Sequence, residues 1–309
     1  MDSLDYLYQK YYLDDNSNQN TSSHWKKWGN LSKVKKDIKK GKNIFELQGM
    51  GFGDQQKIGL KNIIKFLLSS PYLIWMAKKS KRKFIKPFIS TLHKSRFLPT
   101  FDSVKSLKLL SHLDEYMNLS NLKNILIIGD GYGFLGNFFK NAFPSIRIFQ
   151  VNLGKILFFD LYYSEKNIKE ENCTLISQIQ KPLNQKDLGG GILFLEAEIF
   201  QNYTDYLPRI DLVLNVASFQ EMNHKTISQY FKFIRSPKNS GLLYLCNRES
   251  KILPDSSEIK FENYGWDKND QFIFDELCPW YQNFPSLRPP FIHKFDGPMR
   301  HSLVKLSNA

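Results

Sequence analysis

At 309 residues, with 42% of them hydrophobic, the chain is long enough to bury a real core in one large domain or two smaller ones, and it is no disordered tail. Its 43 Lys and Arg against 30 Asp and Glu give a formal charge of +13, which favours polyanionic partners such as nucleic acid, nucleotide-linked substrates or anionic membrane, although a general abundance of Lys, Asn, Ile and Phe explains the figure equally well. Cys173, Cys246 and Cys278 stand far apart with no CxxC spacing, so they suggest neither a disulfide framework nor a zinc site and fit a reducing cytoplasm.

The opening "MDSLDYLYQKYYLDDNSNQN" is acidic and aromatic and lacks the basic-then-apolar order of a secretory signal. Turn-forming residues mark loops at "DDNSNQNTSS" and "GMGFGDQ", while Ile58, Ile63, Ile64, Phe66 and Leu67 recur at helical spacing. Residues 1–112 therefore read as a helical region serving as a substrate lid or in oligomerisation, and 113–309 as a second, α/β domain. The most apolar early stretch, "FLLSSPYLIWMA", is shorter than the ~20 residues of a membrane span and is broken by Pro71. The basic run "KKSKRK" that follows reads most simply as the solvated end of a buried helix, with peripheral contact to lipid headgroups as the alternative.

Beyond Leu113 short apolar runs alternate with amphipathic stretches, the pattern of a parallel α/β sheet. Strands are expected at Ile125–Ile128, Arg147–Val151, Ile192–Leu195, Leu212–Asn215 and Leu242–Cys246, with helices near Phe134–Ala142, Lys155–Lys166 and over "EMNHKTISQYFKFIR". The first strand runs into "GDGYGFLG". A strand that ends in glycines and opens a helix presents bare backbone N–H groups and a helix N-terminus to a ligand, as nucleotide cofactors require. Gly129, Gly131 and Gly133 make a GxGxG that begins at the strand end, whereas Gly131, Gly133 and Gly136 make a GxGxxG that begins two residues late. In a dinucleotide frame anchored at the strand end the third glycine is replaced by Phe134, which hinders close helix–strand packing. Asn152 stands at the end of the second strand, where a ribose-binding carboxylate is usual and where an amide still hydrogen-bonds a hydroxyl.

Taken together, "ILIIGDGYGFLG", "VNLGKILFFDLYYS", "DLVLNVASFQEM", "LYLCNRE" and "RHSLVKL" resemble the sugar O-methyltransferase family within the class I S-adenosylmethionine-dependent methyltransferases, best from Leu122 to Glu249. The resemblance implies a Rossmann-like seven-stranded sheet, S-adenosyl-L-methionine over Gly129, Gly131 and Gly133, a ribose contact from Asn152, and methyl transfer to a sugar hydroxyl. It also implies an acidic position near the adenine, filled by Glu196 with Glu198 as alternative, and places Asn215 at the cofactor edge. The chain departs from the family at Ile127, where many members carry Asp or Glu, and at Asn152-Leu153-Gly154 in place of Asp-Leu-Pro.

Methylating an alcohol requires alignment and removal of a proton from a poor nucleophile. Glu221 and His224, three residues apart and so on one helical face if a helix starts there, are candidate bases, with His301 on the last strand as a third. No ligand cluster in the sequence calls for a metal, though a divalent cation is a chemical alternative to a base. The aromatic groups "HWKKW", "YGW" and "CPWY" are candidates to stack on a sugar, the first as a lid. An RNA methyltransferase and a nicotinamide oxidoreductase remain alternatives, but "NVAS" follows the fourth strand where enzymes acting on base nitrogens carry an Asn/Asp-Pro-Pro-Tyr/Phe tetrapeptide. The expected partner is a sugar-containing small molecule or glycan rather than a specific nucleic acid.

Overall fold

The computed structural model describes residues 2–13, 22–24, 56–57, 59–168, 170–179, 189–286 and 288–308. The loop "GMGFGDQ" and most of "DDNSNQNTSS" lie outside them, as do Ile58, Trp25 and Trp28. Helix α1 (Ser3–Tyr8) continues into a π-helical turn, Gln9–Leu13; α2 (Leu60–Lys78), α3 (Ile85–Ser95) and α4 (Phe101–Tyr116) are further α-helices of the N-terminal part among the described residues. Contrary to the expectation from Pro71, α2 runs through it. The proline removes one donor, and Ser70 Oγ supplies another by bonding the Leu67 carbonyl at 2.9 Å, the acceptor that residue 71 would otherwise satisfy.

The main sheet of the α/β part and its helices comprise β1 (Asn124–Ile128), α5 (Phe134–Ala142), β2 (Arg147–Asn152), α6 (Gly154–Ile168), β3 (Cys173–Leu175), β4 (Ile192–Glu196), β5 (Leu212–Val216), α7 (His224–Ile234), β6 (Leu242–Arg248), β7 (Gln271–Leu277) and β8 (Met299–Lys305), beside two short hairpin pairs, Ser250–Ile252 with Glu258–Lys260 and Asn283–Pro285 with Ile292–Lys294. The eight strands lie in the order β7-β8-β6-β5-β1-β2-β4-β3. Strands β1 to β6 pair in parallel, and β8 is antiparallel to both its neighbours. This is a Rossmann-like, largely parallel sheet with helices at the N-terminus, carrying one strand more than the resemblance implies, the three-residue edge strand β3.

The central strand explains its own sequence. Ile125 and Ile127 belong to one buried cluster and Leu126 and Ile128 to another, so both faces of β1 are covered and no polar alternation survives. The first cluster also takes in Leu7, Leu73, Phe88 and Leu110, so the N-terminal helices share a core with the sheet.

Candidate cofactor and acceptor site

Going from β1 the chain winds to β2 on one side, while β5 flanks β1 on the other. The loops leaving β1 and β5 therefore diverge and open a crevice at the C-terminal edge of the sheet. A cavity of about 620 Å³ lies there, lined among others by Gly129, Asp130, Gly131, Asn152, Ala217 and Glu221. That is the size of an ordinary cofactor or substrate site.

Gly129, Gly131 and Gly133 have φ of +77°, +89° and +67°, the left-handed region that glycine enters without strain. A Cβ at Gly129 would lie 2.3 Å from Ser218 Oγ, so this glycine also lets the loop after β5 close against β1. Gly136 admits Gln150, whose Nε2 would lie 2.0 Å from a Cβ there, and brings α5 close to β2. Asp130, a residue the glycine pattern hides, accepts from the N–H groups of Leu135 at 3.0 Å and Gly136 at 2.7 Å, and from Gln150 Nε2 at 2.7 Å. It thus occupies the donors at the start of α5 that would otherwise hold an anion. Burial lifts its carboxyl to about 6, against the pull of those three hydrogen bonds.

Asn152 lines the cavity, but its side chain is partly engaged: Nδ2 donates to Asp160 Oδ2 at 2.9 Å and Oδ1 accepts from Leu153 N at 3.0 Å. Asp160 is fully buried, and burial together with Asp130 pushes its carboxyl well above the usual range. The two departures around Asn152 have local causes. An Asp at 152 would face the Asp160 carboxyl, and a Pro at 154 would lose the N–H that Gly154 gives to Glu198 at 3.1 Å. Any Cβ at Gly154 would also lie 2.1 Å from the Tyr11 ring.

Asn215 is wholly buried and spent on the backbone and its neighbours: Nδ2 reaches Ile128 O at 3.0 Å and Ser218 Oγ at 2.7 Å, and Oδ1 accepts from Phe219 N at 3.0 Å and Asn247 Nδ2 at 2.9 Å. It positions the loop after β5 and is not among the cavity-lining residues. Gln220 extends the same lattice, its Oε1 accepting from Arg248 N at 2.7 Å. Ala217, at the cavity wall, is held at φ +57°, a local strain of the kind that clusters at functional sites.

Glu196 and Glu198 do not line the cavity. Glu196 is buried against Lys10 of the N-terminal segment at 3.1 Å, and Glu198 holds the N-terminus of α6 through Gly154. Glu221 does line it, 2.7 Å from Lys251 Nζ and 3.4 Å from His24 Nε2. Burial raises its carboxyl above the ordinary value while Lys251 and Arg248 pull it down. Ser22 and His24 thus sit at Glu221, while residues 25–28 of "HWKKW", the expected lid, lie outside the described residues.

The structure does not unite Glu221 with the other two candidate bases. Glu221 ends a 3-10 turn, and α7 begins only at His224, with Asn223 as its cap bonding Thr226 N at 2.8 Å. His224 is exposed, 3.4 Å from Glu258 O. His301 is fully buried away from the cavity, its Nδ1 3.3 Å from Tyr244 Oη and its Nε2 3.2 Å from Glu276. Its ring stacks on His112, and burial with that neighbour lowers it to about 4. A group held neutral within an aromatic packing serves the core.

The far end of the cavity is walled by Phe101, Trp280, Tyr281, Phe284 and Phe295. Lys105 Nζ stands 3.9 Å from the Tyr281 ring centre and 4.4 Å from that of Phe101 and pairs with Asp102. Arg248 also lines this end, its Nε buried without a hydrogen-bond partner among the described residues. Of the aromatic candidates, "CPWY" comes to the cavity. Tyr264 and Trp266 of "YGW" instead pack on Phe231 and Phe261.

No protein-family profile matches the sequence, and no curated protein does. Solved structures are similar in fold. A candidate sarcosine dimethylglycine methyltransferase from Galdieria sulphuraria is 13% identical, with 67% of this chain and 85% of that one covered at a TM-score of 0.42. A candidate RNA methyltransferase from Pyrococcus horikoshii is 11% identical over 66% and 84% of the two chains, at 0.41. Magnesium protoporphyrin IX methyltransferase from Synechocystis PCC 6803 is 11% identical over 80% and 98%, at 0.39. At 11–13% identity the substrates of those proteins say nothing of this chain's.

Proposed function

We propose that the chain is an S-adenosylmethionine-dependent O-methyltransferase whose acceptor is a hydroxyl of a sugar-containing molecule. The observation that carries the cofactor half is the place of Asp130. In a dinucleotide site the helix N-terminus after the glycine loop receives a pyrophosphate. Here a carboxylate already fills the donors of Leu135 and Gly136, which disfavours a polyanion and suits a cationic ligand. The left-handed Gly129 and Gly131 leave that part of the cavity wall without side chains, and the same cavity is lined by Asn152 and Glu221.

The bound cofactor would supply an electrophilic methyl group on sulfur. Glu221 would take the proton of the acceptor hydroxyl as its oxygen bonds to the methyl carbon and the carbon–sulfur bond breaks, leaving a neutral thioether and a methyl ether. Lys251 and His24 hold the Glu221 carboxylate in place, and burial makes it a better base than a free one. Trp280 and Tyr281 belong to the aromatic wall against which a sugar ring would pack, and Lys105 and Arg248 line the cavity where its polar substituents would lie. The sugar assignment rests on the sequence resemblance together with this wall.

Calorimetric titration with adenosylmethionine, adenosylhomocysteine and NADH in parallel tests the cofactor. Binding of the first two and not the third is expected, and NADH binding alone would overturn the reading. Transfer of radiolabelled methyl into nucleotide sugars and glycans, with total RNA as the competing acceptor, tests the substrate class; labelling of RNA alone would replace it.

A further inference from the structure

Helix α2 is amphipathic the wrong way round for a solvated surface helix. Among its described side chains the exposed ones are Leu60, Ile64, Leu67, Leu68, Pro71, Ile74 and Trp75, followed by Lys78 and Lys79, all on one helical stripe. Leu60 is 78% exposed, Leu68 66%, Trp75 61% and Leu67 60%. Leu73 and Met76, on the opposite side, are buried in the core. A contiguous apolar strip of this kind on a protein surface marks an interaction site.

Charge selects the partner. Between residues 55 and 101 the sequence holds eleven Lys and Arg and no Asp or Glu. Lys81 and Lys83 turn to Asp114 of α4, at 2.5 and 2.6 Å, while Lys78, Lys79, Arg82 and Lys86 stay exposed beside the apolar strip. A second copy of the chain docked strip to strip would bring like charge to like with no acid on this segment to answer it. An anionic lipid surface answers both features, taking the aliphatic side chains and Trp75 into the headgroup–acyl boundary while its headgroups meet the lysines.

We infer that α2 and the basic turn after it dock the protein on an anionic membrane surface. The helix is long enough for this role, and no helix among the described residues is long and apolar enough to cross a membrane. The docking has a consequence for the cavity, because Lys65 and Ser69 of the same helix and Phe101 just beyond the next one line it. A docked α2 would therefore set one wall of the cavity near the lipid surface, within reach of an acceptor that is itself held there. That consequence rests on the proposed function; the docking does not.

The test is co-sedimentation of the full chain with vesicles of phosphatidylcholine alone and of phosphatidylcholine with about 30% phosphatidylglycerol. Binding to the anionic vesicles, weakened by salt, is expected. Replacing Lys78, Lys79 and Arg82 together by Glu should lower the partition by on the order of a hundredfold. L67D/L68D/W75D should abolish it while leaving thermal unfolding nearly unchanged, since those side chains are exposed. Three results would overturn the inference: no sedimentation of a folded chain with anionic vesicles, unchanged binding of L67D/L68D/W75D, or a stable dimer in solution that these substitutions convert to monomer. Because none of these readouts involves methyl transfer, their failure would leave the methyltransferase reading standing, and the reverse holds too.

Discussion

The two ends of the cavity are built differently. At the glycine loop the polar groups satisfy one another: Asp130 holds the start of α5, Asn215 ties β1 to the loop after β5, and Gln220 fixes Arg248 by its backbone. At the aromatic end the groups come from three distant stretches, around residues 65–109, 248 and 280–296, and Arg248 Nε is buried with no partner among the described residues. A ligand common to many reactions needs a rigid, prepaid geometry, whereas an acceptor is recognised by groups that it completes on arrival. Under the proposed function the first end would hold the cofactor and the second would set specificity.

The sharpest way to break this contrast is Gly131→Val. Residue 131 sits at φ +89° on the cavity wall, so a β-branched side chain both strains the loop and fills the space over it. Adenosylmethionine binding should fall by more than a hundredfold with the circular dichroism spectrum retained. Unchanged affinity in a folded variant would move the cofactor elsewhere.

Next in size is the junction of the two ends, Glu221→Gln. Loss of the proton acceptor, with shape preserved, should lower kcat by on the order of a hundredfold and leave cofactor affinity nearly as it was. His224→Ala, at an exposed helix start, should keep turnover. If instead H224A loses turnover and E221Q does not, the base is the imidazole.

The same division separates what the sequence discloses from what it hides. Within the α/β part every expected strand and helix forms, because β1, β2, β4, β5 and β6 are buried runs bounded by glycine or polar turns and their periodicity is local information. The glycines and the "SFQEM" run are legible for the same reason. Their partners are not. Nothing in the spacing tells that Lys10, 186 residues away, meets Glu196, or that Asp130 turns into the helix start instead of toward a ligand. Asn152 shows both sides: its place at the strand end could be read off, but the reason it is not Asp is Asp160, fully buried further along α6. The aromatic wall needed the tertiary fold to separate Trp280 from Trp266, since both lie in similar local sequences.

A smaller effect distinguishes the ends by pH. Asp130 has a folded-state pKa of about 6 against an ordinary 3.8, so its contribution to stability is present below the lower value and lost as pH rises through the higher. The groups facing it are the neutral Gln150, the helix N–H donors and the buried Asp160 carboxyl, and burial raises Glu198 in the same direction, to about 7. His301, lowered to about 4, acts oppositely over much the same range, costing stability as pH falls from its ordinary 6.5 toward 4, but it does so equally in the native chain and the variant. Between pH 5 and 7.5 the melting temperature of Asp130→Asn should therefore decline less than that of the native chain, by on the order of a few degrees. Parallel curves for the two proteins would show that Asp130 is ionised throughout.

The smallest expected effect is at Asn152, and it decides whether the carboxamide serves the cofactor or only the core. One amide proton goes to Asp160 and one oxygen lone pair to Leu153 N, which leaves one proton and one lone pair to the cavity side. A ribose hydroxyl bonded there is worth about 0.5–1.5 kcal/mol, so Asn152→Ala should weaken cofactor binding by roughly two- to tenfold. Adenosylmethionine and adenosylhomocysteine share the ribose, so both should weaken alike, whereas a contact to the sulfonium would penalise only the first. The substitution also strips Asp160 of a donor in a fully buried place, and the melting temperature should fall whatever happens to binding. A lowered melting temperature with unchanged affinity for both ligands would therefore assign Asn152 to Asp160 alone, and the ribose would have to be held by the backbone of the loop after β2.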